Sequence, residues 1–343
     1  LEDYLDGLEA GAIKPKAVQT EKSACRILLG RATGRTPNKD GFPHLTRKYL
    51  SDLTPDDFLS TADGHASLRQ MMKGPDGGEV NLATLRRTLN VLRSVFKHAI
   101  EVRGIDFHNP LVTIKGLNVD DSRERVLEGD EWDKILAALR GVPRHKGTRP
   151  GVIDATIFTR YAATRRGETV KLDWDDVDLV KRTALLRDTK SRSRTKPRDR
   201  TIPLPQEAWA ILLARAHQAW GGEAQINWVA LDKDELTKHA ERLSALRPGD
   251  VAKRPIFTNG KGGRLRADAI TQAWSDARKR AGLGKGSGKT PIRIHDLRHT
   301  RITELASGND LSPTDVARIS GHSDLNMLMR YFNPTPEDMV SRI

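Results

Sequence analysis

The chain has 343 residues, with 58 Lys and Arg against 45 Asp and Glu, a formal net charge of +13 at neutral pH. That excess favours a polyanionic partner, and 37% hydrophobic residues over this length exclude global disorder and suffice for two domains, each with its own core. Cys25 is the only cysteine, which excludes an intrachain disulfide framework and argues against a Cys-based zinc site, as in a chain that works in a reducing cytosol.

No stretch approaches roughly 18 consecutive apolar residues. The opening LEDYLDGLEAG carries acids where an export signal has a basic start and an apolar run. Neither membrane nor export is expected, and the cytoplasm is the expected location. Residue 1 is Leu rather than Met, which leaves room for an upstream domain.

The first hundred residues read as helical. Asn81 is a good N-cap, and after it Leu82, Leu85, Leu89, Leu92, Phe96 and Ile100 recur at three- and four-residue spacing, predicting one buried face. Gly104 ends that helix before an extended segment at Asn109-Pro110. Its other positions include Arg86, Arg87, Arg93 and Lys97, which are a solvated face unless a nucleic-acid site lies elsewhere. Residues 118–125 (NVDDSRER) are polar, charge-mixed and nearly free of apolar side chains, which predicts a linker. The expected domains are therefore a helical 1–117 and a second, 126–343.

The second part opens with a helix over GDEWDKILAALRG and another before Thr164. Val177–Val180, Thr183–Leu186 and Thr201–Leu204 are short β-compatible runs, predicting a small antiparallel sheet. The turn between the last two is dense in charge: residues 181–200 hold nine Lys or Arg and two Asp, a local +7. Such density repels itself, and a phosphate backbone is its natural counter-charge. From Pro205 the pattern is mostly helical, apart from a Gly- and Asp-containing stretch at 221–252 that has no clear assignment.

Three segments invite chemistry. GKGSGKT (284–290) fails as a phosphate loop because position 283 is Leu where the motif needs Gly, and Pro291 follows where a helix should start. It reads better as a flexible basic loop. His295 and His299 stand at i and i+4, the spacing of a zinc pair, but Asp296 replaces the usual Glu and Arg298 would repel a cation. His295 and Arg298, at i and i+3, share a face and suit a phosphate oxyanion: the guanidinium grips two oxygens and the imidazole exchanges a proton.

Other residues of the same chemistry follow in order. Arg165 in ATRRGE has Glu168 three residues on to orient it, Lys190 sits in the basic turn, Gly321-His322 closes a helical segment, and Tyr331 follows nine residues later. Singly each is explained by ordinary structure, as a half-buried tyrosine, a helix-end histidine or a surface lysine. In order, Arg165, Lys190, His295-x-x-Arg298, Gly321-His322 and Tyr331 resemble the tyrosine recombinase, or phage integrase, family over residues 128–343, and the N-terminal part is similar to that family's core-binding domain. Ala163 and Thr164 depart from the Gly and apolar residue usual before the first Arg, which predicts altered packing there.

The resemblance implies a fold that is mainly α with a small antiparallel β-sheet: a helical core-binding domain plus a mixed α+β catalytic domain. It implies that Tyr331 attacks a DNA phosphate to give a 3′-phosphotyrosyl link and a free 5′-hydroxyl. Arg165 and Arg298 would hold the non-bridging oxygens, assisted by His322 and supported by Glu168. Lys190 would protonate the leaving oxygen, and His295 would serve proton transfer at the tyrosine. No ATP, metal or other cofactor is implied. Implied partners are double-stranded DNA with specific recombination sites, a homotetramer on paired sites that leaves room for a monomer without DNA, and directionality or DNA-bending factors, in a nucleoid-associated, prokaryotic or phage setting and serving a mobile element. Arg86, Arg87, Arg93, Lys97, Arg192 and Arg194 are the expected DNA contacts. An arm-binding domain before Leu1 fits the family, and the segment after Tyr331 is short. The rival readings are a type IB topoisomerase, which would usually carry Lys or Arg at the position of His295, a catalytically silent DNA-binding protein, and the zinc protease.

Overall fold

A computed structural model describes residues 1–15, 18–31, 41–59, 68, 72–73, 78, 80–114, 125–141, 150–189, 198–221, 226–284, 286–308 and 310–332. The chain divides into two compact units, Leu1–Arg123 and Glu124–Ile343. Among the described residues, no helix is long and apolar enough to cross a membrane.

In the first unit, helices Glu2–Glu9, Val18–Leu28 and Leu82–Glu101 enclose a core that includes Leu5, Leu8, Cys25, Phe58, Leu89 and Phe96. Asn81 caps the long helix, its side chain accepting from the Ala83 N–H at 2.7 Å. Leu85, Leu89, Leu92 and Phe96 are buried as the periodicity predicts, but Leu82 and Ile100 are exposed, because they lie at the two ends of the helix. Gly104 adopts φ +64° where the chain leaves the helix. The 118–125 segment lies outside the described residues except for Arg125, whose half-buried guanidinium pairs with Glu131 and donates to the Thr290 carbonyl at 3.1 Å.

The second unit is built around the Pro150–Tyr161 helix, which packs against helices Gln206–Ala216, Ala267–Arg280 and Ile294–Ser307. Its sequence shows no polar stripe, and Val152, Ala155, Phe158 and even Arg160 are buried, as a helix covered on most sides requires. Arg160 is accommodated by Glu304, with which it forms a two-pronged ion pair.

The sheet has three strands, β1 (Val177–Asp178), β2 (Thr183–Thr189) and β3 (Arg198–Pro203), ordered β1-β2-β3 and antiparallel throughout. Ala184 pairs with Ile202 and Leu186 with Arg200, and the register shifts between Leu186 and Thr189. The strands run further into the basic 181–200 segment than the sequence pattern suggests, so Arg187, Arg198 and Arg200 are strand residues, not turn residues. The unassigned 221–252 stretch contains a helix, Lys233–Ala245, whose N-cap Asp232 accepts from the Glu235 N–H at 2.8 Å.

Trp209 locks the sheet to the helices. It is fully buried, its indole N–H donates to the Leu179 carbonyl at 2.8 Å, and Arg182 lies over its ring at 4.4 Å. Replacing it removes packing, a buried hydrogen bond and a cation–π contact together. Trp209→Ala is expected to cost about 3–5 kcal/mol in urea unfolding, and Trp209→Phe, which keeps a ring but no donor, distinctly less.

Candidate active site

The buried Pro150–Tyr161 helix ends by presenting an arginine. Beyond Tyr161, Ala163 takes φ +51°, a left-handed conformation uncommon for a residue with a Cβ, and is completely buried. Thr164 follows, its hydroxyl 2.7 Å from that of Thr169, which is itself 2.9 Å from Thr159. This chain of buried hydroxyls pins the turn, so the two residues that depart from the family pattern each carry a specific packing role. Arg165 then stands at the N-cap of the short helix Arg166–Lys171. Glu168 closes the cap: its carboxylate accepts the Arg165 backbone N–H at 2.9 Å and the guanidinium at 2.7 Å.

A second guanidinium shares that carboxylate. Arg200 donates from both terminal nitrogens to Glu168, at 3.1 and 2.8 Å, and from Nε to the Ile319 carbonyl at 3.2 Å. Burial alone would raise the Glu168 pKa, but the bonds and charge of Arg200, together with Arg165, outweigh it and hold the carboxyl at about 2. Arg200 also explains Gly321. That residue sits at φ +70°, and a Cβ on it would lie 2.6 Å from the Arg200 guanidinium, so only glycine closes the Pro313–Ser320 helix there.

Arg298 is buried at the centre. From the Ile294–Ser307 helix it donates to the Ala163 carbonyl at 2.5 Å and to the Ser320 carbonyl. Burial first, then Arg165, push its pKa down to about 9, which leaves it cationic at neutral pH. The Ser320 hydroxyl lies 2.7 Å from Nδ1 of His322, so one residue ties Arg298 to His322. Burial, followed by Arg298 and Arg165, depresses the His322 pKa to about 4. His295 is also shifted down, by desolvation first and then by His299 and Arg298, although it remains solvent-exposed. Both imidazoles are therefore neutral at pH 7.

Tyr331 joins this group. It packs against the small cluster of Ala163, Ile302, Val316 and Leu328, and its hydroxyl is hydrogen-bonded to Nδ1 of His299. The two rings lie 6.0 Å apart and nearly parallel, at 28°, and the His295 ring meets His299 edge-on at 4.8 Å. Arg165, His295, Arg298, His322, Tyr331 and the supporting Glu168 thus belong to one connected site, even though they span more than 160 residues of sequence.

Two members of the site were absent from the sequence-based set. Arg200 was counted only as one charge in a basic run. The available signal was its period-two alignment with the buried Ile202 and Leu204. His299 was weighed only as half of a zinc pair. Among the described residues, no group of three or more His, Cys, Asp or Glu is placed to hold a metal ion.

Lys190, Arg192 and Arg194 lie outside the described residues. In the first unit, Arg87 and Lys97 are exposed, Lys97 lying 3.7 Å from Glu101, and Arg86 is half-buried. Arg93 is engaged internally, donating to Asn90 at 2.8 Å and to the Ile114 carbonyl at 3.0 Å. In the 284–290 loop, Lys289 pairs with Glu128 at 2.8 Å. Beside Arg165 opens a cleft of about 670 Å³ bordered by Arg166, Lys171, Arg278, Arg293 and His295, a cationic wall suited to a phosphate chain.

Known proteins resemble this chain in sequence and in fold. Tyrosine recombinase XerD of Mycobacterium leprae is 26% identical over 294 residues, covering 83% of this chain and 81% of the relative. Two solved structures share the fold. A lambda integrase dimer bound to a COC′ core site has a TM-score of 0.58 at 18% identity, covering 97% of this chain and 93% of the other. The integrase of transposon Tn1549, in complex with transposon right end DNA, has a TM-score of 0.57 at 17% identity, covering 98% and 95%. With the phage integrase family model matching residues 125–338, which is most of the second unit and more than half of the whole, the chain belongs to the phage integrase family.

Proposed function

We propose that this protein is a site-specific DNA recombinase that cuts and rejoins strands through a covalent link between Tyr331 and a 3′-phosphate. The observation that carries the reading is the placement of the Tyr331 hydroxyl on His299, in a site where Arg165, Arg200 and Arg298 surround one carboxylate. Arg165 and Arg200 share a single carboxylate, so that pair alone leaves positive charge to meet a phosphodiester. A phenol with its pKa near 10 is a poor nucleophile, and a phosphodiester repels an incoming anion. Cations fixed at the phosphate lower both barriers, because they are already oriented before charge develops in the transition state.

In this reading Arg165 and Arg298 hold the non-bridging oxygens of the scissile phosphate. His322, neutral in the free protein, becomes a hydrogen-bond donor as the bound phosphate raises its pKa. Glu168 keeps Arg165 and Arg200 in place, and Lys190 is the acid for the leaving 5′-oxygen. His295 serves proton transfer on the nucleophile's side of the site. Because the link to Tyr331 conserves the ester's energy, a 5′-hydroxyl from a second duplex can reverse the step without ATP. The DNA backbone runs along the cleft beside Arg165, and the first unit adds contacts through Arg86, Arg87 and Lys97. The lambda integrase structure, described as a dimer on a core site, supports two subunits per site, and four on a paired complex is the expected assembly. Insertion or excision of a mobile element is the expected setting.

Incubation in chelator with nicked duplexes carrying the sequences that flank the gene is expected to yield a covalent adduct mapping to Tyr331. Tyr331→Phe should keep DNA binding and abolish the adduct; an adduct of equal yield in that variant would end the catalytic reading. The depressed pKa of Glu168 carries a stability consequence of defined sign. Its contribution is fully present above the ordinary carboxylate range and is lost as pH falls from about 4.5 through about 2. Glu168→Gln is therefore expected to lower stability at pH 7 by about 3–5 kcal/mol, since it leaves two guanidiniums without their shared counter-charge. The gap from wild type should narrow progressively in unfolding experiments taken down towards pH 3.

A further inference from the structure

We propose that His299 takes the proton of the Tyr331 hydroxyl during attack and is a catalytic base of the strand-cleavage step, a role that rests on the recombinase reading of Tyr331. The geometry is direct. Nδ1 of His299 is hydrogen-bonded to the nucleophilic oxygen, and the near-parallel rings fix the phenol relative to the imidazole. His299 is half-buried on the rigid Ile294–Ser307 helix, one residue from Arg298, so a single helix positions both the base and a cation at the phosphate. The exposed His295 ring lies 4.8 Å from the same imidazole and nearly perpendicular to it, which helps to hold the His299 ring in place.

The titratable groups that meet His299 are His295, one turn back on its own helix, His322 and Tyr331, and Arg298 precedes it in the chain. In cleavage, the bond from Tyr331 Oη to phosphorus forms while the bond from phosphorus to O5′ breaks. The electron pair leaves on O5′, which takes a proton from the general acid, while the phenolic proton moves to Nδ1. In rejoining, the 5′-hydroxyl attacks phosphorus and gives its proton back to the group that had protonated O5′, while the bond from phosphorus to Tyr331 Oη breaks and the departing phenolate recovers its proton from His299.

The test compares wild-type protein with His299→Ala and His299→Asn in single-turnover adduct formation on the nicked duplexes. Substrates carry either the natural 5′-oxygen or a bridging 5′-sulfur, which leaves without a proton. Asn keeps a hydrogen-bonding atom near the Nδ1 position but cannot accept a proton, and it guards against a packing defect in the Ala variant. Both variants should be slower by about 10²-fold or more, equally with oxygen and sulfur leaving groups. Added imidazole should restore part of the rate to His299→Ala. An Asn variant at the wild-type rate would reduce His299 to a positioning contact, and a defect relieved by sulfur would move its role to the leaving group. Either result overturns the proposal while leaving the Tyr331 adduct intact, whereas no adduct from wild-type protein would overturn the recombinase reading itself.

Discussion

Glu168 is the anion that ties the arginines of the site together. Two guanidiniums from different elements, one at a helix N-cap and one on β3, converge on its two oxygens, and Arg298 lies within range of the same charge. Without that carboxylate, three arginines could not be held together away from bulk solvent. With it, the group retains excess positive charge and the geometry is set before any substrate arrives. Pre-organisation of this kind is worth more than flexible charge, because the reorientation has already been carried out by folding.

Arg298 then links catalysis to the frame. Its donors go to the carbonyls of Ala163 and Ser320, the residues that close two different helices. One of those turns leads to Arg165 and the other to His322, so Arg298 also fixes the chain segments that carry its neighbours in the site. The left-handed Ala163 is the backbone cost of bringing both turns to one point, whereas Gly321 takes its positive φ without strain. Such a conformation is tolerated where the surroundings over-determine it, and Ala163 is walled in by the core.

How much of this was readable in the sequence depends on how local each interaction is. The Arg165–Glu168 cap spans three residues, and the Asn81 cap, the long helix and the three strands follow from short-range periodicity, so all were legible. Arg200 was not, because its partner is 32 residues away and its own neighbourhood is crowded with other cations. Alternation along β3 would have placed it on the inner face beside Ile202, but only once the strand was known to begin before Thr201. His299 was obscured for a different reason. A histidine four residues after another suggests a metal pair, and only the folded chain shows that its ring is occupied by a tyrosine 32 residues further on.

The position of Tyr331 bears on how the site is put together. Its hydroxyl reaches a histidine of the same chain, and its ring rests on a cluster that includes Ala163 and Ile302 from the frame of the site. Tyr331 is thus seated among the arginines of its own chain. The short helix that leads to it, Leu325–Met329, exposes Leu325, Met327 and Met329 and buries only Leu328. The arginine side of the site is held by many bonds: Arg298 donates to two carbonyls, and Arg165 and Arg200 share Glu168. The tyrosine side meets that frame at the Ile294–Ser307 helix, which carries both Arg298 and His299, so one element positions both halves of the site.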